Sequence, residues 1–205
     1  MGLKIDPFSF PDPETNEVAS GTGTKQAIVL GGGCFWCTEA LYSQLEGVAS
    51  VRPGYAGDTK ETADYDTVST GRTNHAEVIE VVYDPSKLAL GQILKIFFSI
   101  AHDPTQKDRQ GADVGRQYRS VIFYSNEEQR RVAQAYIEQL QRANAFDTPI
   151  VTELTPLKAF FEAEKYHHDY AARNPNQPYI RGVSDPKVAK LKKLHADMLK
   201  QPGSA

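Results

Sequence analysis

The run Gly31-Gly32-Gly33-Cys34-Phe35-Trp36-Cys37 constrains this chain more than any other stretch. It follows the apolar segment Gln26-Ala27-Ile28-Val29-Leu30, which reads as a short buried strand. It opens a segment to Glu46 with apolar residues at Phe35, Ala40, Leu41 and Leu45, which reads as an amphipathic helix. A glycine turn between strand and helix leaves backbone N–H groups free at the helix start, where an anion is favoured. Cys34 stands at that point, so its thiolate gains stabilisation. The helix dipole contributes about 0.3–1 kcal/mol there. One pKa unit is worth about 1.36 kcal/mol, so the dipole lowers the thiol by less than one unit from about 8.5. Further activation has to come from hydrogen bonds or from substrate.

Cys37 lies three residues on, on the same helix face. That spacing allows a disulfide with little backbone movement. The first thiol is better exposed and better activated, so Cys34 is expected to attack and Cys37 to resolve. The competing reading is two small buried apolar residues; the glycine turn and the neighbours Phe35 and Trp36 favour chemistry. The glycines lack the Gly-Lys-Ser/Thr ending of a phosphate loop and the spacing of a dinucleotide turn.

Cys34 and Cys37 are the chain's two cysteines. A secreted disulfide scaffold carries more, spread along the sequence. A tetrahedral zinc site needs a second ligand pair, and the adjacent His167-His168 fits that pattern poorly, so no metal is expected. With 205 residues the chain is long enough for one real core and too short for two large ones. Its net charge of −3 gives no reason to expect a nucleic-acid partner. No apolar run reaches the roughly 18–20 residues of a membrane span. Residues 1–20 lack a basic-then-apolar export pattern, which points to a soluble, cytoplasmic protein.

Residues 1–24, with Pro7, Pro11 and Pro13, read as an extended N-terminal arm, and 25–205 as a single catalytic domain. After the first helix, strands are expected at Val48 to Tyr55, Ala76 to Tyr83, Tyr118 to Tyr124 and Ile150 to Leu154. Helices are expected at Leu90 to Ala101, Glu127 to Ala143 behind an Asn126 cap, Phe160 to Ala172, and from Asp185-Pro186 to about Lys200. The lysines of that last helix read as a solvated face. Residues 56–74 and 102–117 read as long polar loops, a length that often marks function. Strand, helix, strand, strand, helix, strand from 25 to 124 implies helices on one face of a mixed sheet.

Gly33-Cys34-Phe35-Trp36 resembles the signature of A-type peptide methionine sulfoxide reductases. Further blocks resemble the same family: Gly54-Tyr55-Ala56-Gly57, Tyr65, Ser69-Thr70-Gly71-Arg72-Thr73 with His75-Ala76-Glu77, His102-Asp103-Pro104-Thr105-Gln106, and Arg109 to Ser120. Ala163-Glu164, Tyr166-His167 and Asn174-Pro175 extend the likeness towards 185. The resemblance implies an α+β two-layer sandwich with a ferredoxin-like core and a long coiled C-terminal segment. It implies reduction of the S-epimer of methionine sulfoxide, free or peptide-bound. It makes Cys34 the nucleophile, Glu77 the proton donor, Tyr65 and Tyr118 the oxygen-binding phenols, and Asp113 a substrate-binding or main-chain-anchoring carboxylate. Phe35 and Trp36 become the pocket for the substrate's methyl group. It also implies a monomer with no bound cofactor, recycled by thioredoxin or a similar dithiol.

The chemistry accounts for these residue types. A sulfoxide oxygen leaves poorly unless protonated, which Glu77 can do while the phenols hold it. Cys34 then becomes a sulfenic acid. A thiolate beside a carboxylate is a like-charge pair, so Cys34 and Glu77 are expected to share one proton in the free enzyme. Two departures stand out. Asn74 replaces a frequent glycine, and no C-terminal cysteine follows Cys37, which leaves Cys37 as the internal resolving thiol. His75, His102 and His167-His168 read as structural hydrogen-bond formers. Rival functions are a thioredoxin-like disulfide oxidoreductase on Cys34 and Cys37, and a metal-binding module.

Overall fold

A computed structural model describes residues 2–17 and 24–201. In chain order the elements are β1 (Gln26–Gly32), α1 (Phe35–Tyr42), β2 (Val48–Ala56), α2 (Tyr65–Ser69), β3 (Ala76–Tyr83), α3 (Leu90–Ile96), β4 (Arg109–Gln110), β5 (Asp113–Val114), β6 (Ser120–Tyr124), α4 (Glu127–Arg142), β7 (Glu153–Pro156), β8 (Phe161–Glu162), α5 (Tyr170–Arg173) and α6 (Asp185–Leu194). β4 and β5 form a separate two-residue hairpin; the other strands make one sheet in the order β7-β6-β1-β3-β2-β8. Its centre, β6-β1-β3-β2, is antiparallel throughout. This is the ferredoxin-like arrangement, reached through β1-α1-β2-β3-α3-β6. β7 adds parallel to β6, and β8 adds to the β2 edge, so the sheet is mixed.

The larger core lies on the face covered by helices, where Ile28, Leu30, Ile79, Val81 and Tyr83 meet Leu41, Ile93, Phe97 and Tyr136. A smaller apolar layer, Val29, Val78, Val121 and Phe123 with Leu157 and Phe160, lies on the other side. Alternation along β3 therefore puts Glu77 in the same row as Ile79, Val81 and Tyr83, facing the helices. Register sets Glu77 opposite Tyr55 on β2. A carboxylate at the head of an apolar row is the first sign that this strand does more than pack.

Several expected elements are shorter or differ in kind. The first helix ends at Tyr42, and it is buried almost all round at Phe35, Cys37, Thr38, Glu39, Leu41 and Tyr42, so it is not amphipathic. The helix from Leu90 ends in a π turn at Phe97–Ala101. The strand near 150 runs Glu153–Pro156. The helix expected from Phe160 to Ala172 is not there: Phe161–Glu162 pairs with β2, a single 3-10 turn follows at Lys165–His167, and α5 begins after Asp169 in a left-handed conformation. The open edge of β2 and three aromatic rings that need different partners outweigh the local helical pattern.

The last helix contains a π turn, Ile180–Ser184, that runs directly into α6. Its lysines do not form one solvated face. Lys187 donates to the Ala101 carbonyl at 2.6 Å and Lys190 to Ser99 O at 2.8 Å, both in the carbonyl-rich end of the other π turn. Lys192 and Lys193 face outward. Along the described part of the N-terminal segment, Leu3 bridges Phe146, Phe10 is buried, and Pro11 and Asp12 accept hydrogen bonds from Tyr136 and Gln139 of α4.

Candidate active site

The turn after β1 is built for close approach. Gly33 has φ +86°, and a Cβ there would fall 2.7 Å from Gln110 Cγ; a Cβ on Gly32 would press on the Phe97 and His102 rings. The turn delivers Cys34 as the N-cap of α1, half-buried. Cys37 lies one turn on and is 1% exposed. Both thiols are free.

The N–H of Phe35 does not wait for an outside anion. It donates to Glu77 Oε2 at 3.1 Å, tying the start of α1 to β3. Glu77 is 2% exposed. Burial pushes its pKa up to about 8, against the lowering effect of that single N–H, and Asp113 and Cys37 push it further. Burial also pushes the Cys34 thiol well up, with help from Glu77. Desolvation thus exceeds the small dipole effect, and near neutrality Cys34 and Glu77 each carry a proton. Burial therefore favours the protonated form of both groups, where the sequence reading expected them to share one proton.

Cys34, Phe35, Trp36, Tyr65, Glu77, Asp113 and Tyr118 line one cleft of about 200 Å³, together with Gln177 and Tyr179. Every site residue read from the sequence is therefore at the cleft except Cys37, which lies behind Cys34. Tyr65 is the first residue of α2, whose N-cap Asp64 accepts from Thr67 N. Glu164 fixes it, taking the Tyr65 N–H on Oε1 and the Tyr55 hydroxyl on Oε2, each at 2.8 Å. Tyr118 ends a 3-10 turn just before β6. Burial and the nearby carboxylates raise both phenols, so they remain hydrogen-bond donors. Trp36 Nε1 donates to His167 Nδ1 at 3.0 Å, and the indole stacks on Tyr170 with ring centres 3.8 Å apart. Asn74 sits exposed at the rim, its backbone held by Asp58 and Arg119, and leaves Glu77 in place.

Sequence reasoning missed Gln177 and Tyr179. The Tyr179 hydroxyl donates a short hydrogen bond to Asp113 Oδ2. Tyr179 follows two prolines in a segment without periodicity, and nothing distinguishes it among ten tyrosines. His102 is the structural group expected: its nitrogens bond Phe97 O and Ser120 Oγ, and burial lowers its pKa to about 3.

A thiol pair at a helix start, set against a buried neutral acid on an α+β sheet, defines a cysteine-dependent oxidoreductase. The family model for peptide methionine sulfoxide reductase matches residues 26–199. Peptide methionine sulfoxide reductase MsrA 2 of Synechocystis sp. is 49% identical over 200 residues, covering 96% of this chain and 94% of the relative. Among solved structures, reduced Mxr1 of Saccharomyces cerevisiae superposes with a TM-score of 0.66 at 31% identity, covering 80% of this chain and 92% of that one. Methionine sulfoxide reductase A of Corynebacterium diphtheriae gives 0.63 at 32%, covering 85% and 88%. The chain belongs to the peptide methionine sulfoxide reductase family, and its enzyme class is peptide-methionine (S)-S-oxide reductase. A match of this length reaches far beyond the Cys-x-x-Cys pair and does not favour the disulfide oxidoreductase alternative.

Proposed function

We propose that Cys34 attacks the sulfoxide sulfur, that Glu77 protonates its oxygen, and that Cys37 then closes the cycle. The observation that carries this reading is Glu77: a buried carboxyl whose pKa is pushed up to about 8, so that its protonated form dominates at neutral pH, in the same small cleft as a nucleophilic thiol. Tyr65 and Tyr118 donate to the sulfoxide oxygen as charge grows on it. Phe35 and Trp36 take the S-methyl group. Asp113, oriented by Tyr179, holds the substrate's polar end.

The neutral pair balances the chemistry. Glu77 gives its proton to the oxygen while the Cys34 sulfur attacks. The oxygen passes from substrate sulfur to enzyme sulfur, the thiol proton returns to Glu77, and methionine leaves. Cys34 is then a sulfenic acid, oxidised by the two electrons that methionine gained. Attack of Cys37 on the Cys34 sulfur forms the disulfide and releases water. An external dithiol attacks the more exposed Cys34 sulfur and restores both thiols. Thioredoxin fits that role, with the cytoplasm, where thiols are kept reduced, as the place of action, and the enzyme working as a monomer.

The test is one turnover without reductant. Reduced protein mixed with the S-epimer of methionine sulfoxide should release one methionine and, by mass spectrometry, carry a Cys34–Cys37 disulfide. A persistent Cys34 sulfenic acid would assign resolution to an external thiol. Equal turnover of Glu77→Gln would remove the acid from the mechanism.

A further inference from the structure

Two blocks of the sequence, Ser69 to Thr73 and Gly115 to Gln117, supply no reacting group, yet they meet at one side chain. Gln117 donates its Nε2–H to the Ser69 carbonyl at 3.2 Å. Ser69 is the last residue of α2, and Tyr65 is the first. Gln117 is the residue before Tyr118, in the same 3-10 turn, Arg116–Tyr118. Neighbouring side chains leave such a turn about 120° apart, since it has three residues per turn. Tyr118 accordingly lines the cleft, while Gln117 is 4% exposed and turned to α2. One amide joins the two segments that carry the phenols.

The surroundings are shaped to this amide. A Cβ on Gly115 would fall 2.2 Å from Gln117 Oε1, and one on Gly71 3.2 Å from the same atom. Both glycines have positive φ, +141° and +71°, so the backbone closes around the side chain where other residues would be strained. Gly115 opens the turn, its carbonyl taking the Tyr118 N–H at 3.0 Å. Gly71 closes the end of α2, its N–H bound to Val68 O at 3.0 Å. Gln117 Oε1 is buried and has no hydrogen-bond partner among the described residues. An unpaired buried acceptor is a cost that leucine or methionine at this position would not carry. The amide is therefore kept for the bond that its nitrogen makes.

That bond completes the fixing of α2. Glu164 takes the Tyr65 N–H at 2.8 Å at one end, and Gln117 holds the other. The two ends lie about 6 Å apart along the axis, so this short helix is tethered as one piece. Arg119 steadies the turn from its far side, with Nη1 on Arg116 O at 2.9 Å and Nη2 on Asn74 O at 3.0 Å. We propose that Gln117 is a positioning residue that sets the separation of Tyr65 and Tyr118, so that both hydroxyls reach one sulfoxide oxygen in the transition state. The proposal rests on the two phenols holding that oxygen. Gln117 does not line the cleft itself. It acts on rate more than on binding, because donors aimed at growing charge gain most in the transition state.

Single turnovers of reduced full-length protein with a peptide bearing methionine S-sulfoxide, over a range of peptide concentrations, give a maximal rate and a half-saturating concentration. Gln117→Met keeps the volume and removes the donor; Gln117→Glu keeps the shape and turns the donor into an acceptor. Each should lower the maximal rate about tenfold, part of the roughly 10²–10³ that one oxyanion donor is worth, and leave half-saturation within about twofold. Gln117→Glu should regain rate relative to wild type as pH falls, because the protonated carboxyl donates to Ser69 O again. The decisive measurement is a double-mutant cycle. In a Tyr65→Phe/Tyr118→Phe protein, Gln117→Met should change the remaining rate by less than about twofold, because the groups it aligns are gone. A full tenfold loss in that background shows a general structural role and overturns the proposal, as does a wild-type rate in Gln117→Met. Melting curves set an assay temperature at which each variant is folded. If Gln117→Met does not fold, the pH dependence of Gln117→Glu decides, and a constant ratio to wild type overturns the proposal. If the Tyr65→Phe/Tyr118→Phe protein itself turns over at the wild-type rate, it is the phenol reading that has failed, and the two failures are told apart.

Discussion

Glu77 carries the conflict between stability and function in a single side chain. Its folded-state pKa is raised from 4.5 to about 8, so folding favours its protonated form. The contribution to stability is complete below about pH 4.5 and is lost as pH rises through about 8. Glu77→Gln keeps an oxygen for the Phe35 N–H and removes the charge. Its melting temperature should therefore exceed that of wild type at pH 8, and the fall in stability between pH 4.5 and 8 should flatten; parallel curves for the two proteins would show that Glu77 does not titrate there. The same substitution should lower kcat/KM by about 10²–10⁴, the usual contribution of a general acid. Wild-type kcat/KM should decline above about pH 8, as the acid form is lost. None of this was legible from the sequence without the family resemblance, because an isolated Glu after Ala76 gives no sign of burial until β3 alternation and its register with Tyr55 are known.

At the scale of elements, α1 is fixed from both ends of the chain. Phe35 N binds Glu77 of β3, and Glu39 accepts from Asp169 N at 2.9 Å, at the start of α5. Glu39 is buried, and desolvation lifts its pKa to about 7. α5 brings Tyr170, which stacks on Trp36, so Glu39 supports the wall of the cleft through one short helix. Glu39→Ala removes the acceptor of the part-buried Asp169 N–H and should cost about 0.5–1.5 kcal/mol, the net worth of one hydrogen bond. It should also raise KM more than it lowers kcat, because it loosens the wall and leaves the acid and thiol untouched. Trp36 is the chain's single tryptophan, so its fluorescence reports the stack directly. An unchanged emission spectrum and KM in Glu39→Ala would separate Glu39 from the pocket. The order β1-α1-β2-β3-α3-β6 could be read from period and turn signals, and so could the Asn126 cap of α4, whose side chain accepts from Gln129 N at 2.9 Å. Residues 157–184 could not. Their structure follows from tertiary demands: an open β2 edge, a tryptophan needing a histidine, and a phenol needing Asp113.

For the whole molecule, the main question is what the N-terminal segment contributes. It has no periodicity, which is why only an extended arm could be read from it. Yet its side chains and carbonyls make a continuous seam with α3 and α4. Phe10 packs edge-on against Phe146, Tyr136 donates to Pro11 O at 2.7 Å, and Lys95 pairs with Asp12 at 2.6 Å. Asn16 Oδ1 takes the Gly91 N–H, and Glu17 takes the Leu90 N–H and the Tyr83 hydroxyl. These last contacts satisfy backbone donors in the first turn of α3, which begins at Leu90 behind an alanine with no capping side chain. The arm thus supplies the cap that the local sequence lacks. Among the described residues, the arm makes no hydrogen bond, ion pair or ring contact with the cleft residues. Phe10→Ala should cost about 3–5 kcal/mol, as for other buried aromatics, and Asn16→Ala about 1 kcal/mol, as for a lost N-cap. Both should lower the denaturant midpoint while kcat and KM, measured well below that midpoint, stay at wild-type values. A fall in kcat for Asn16→Ala at full folding would mean that the start of α3 reaches the chemistry, with the path running through the π turn that ends the helix.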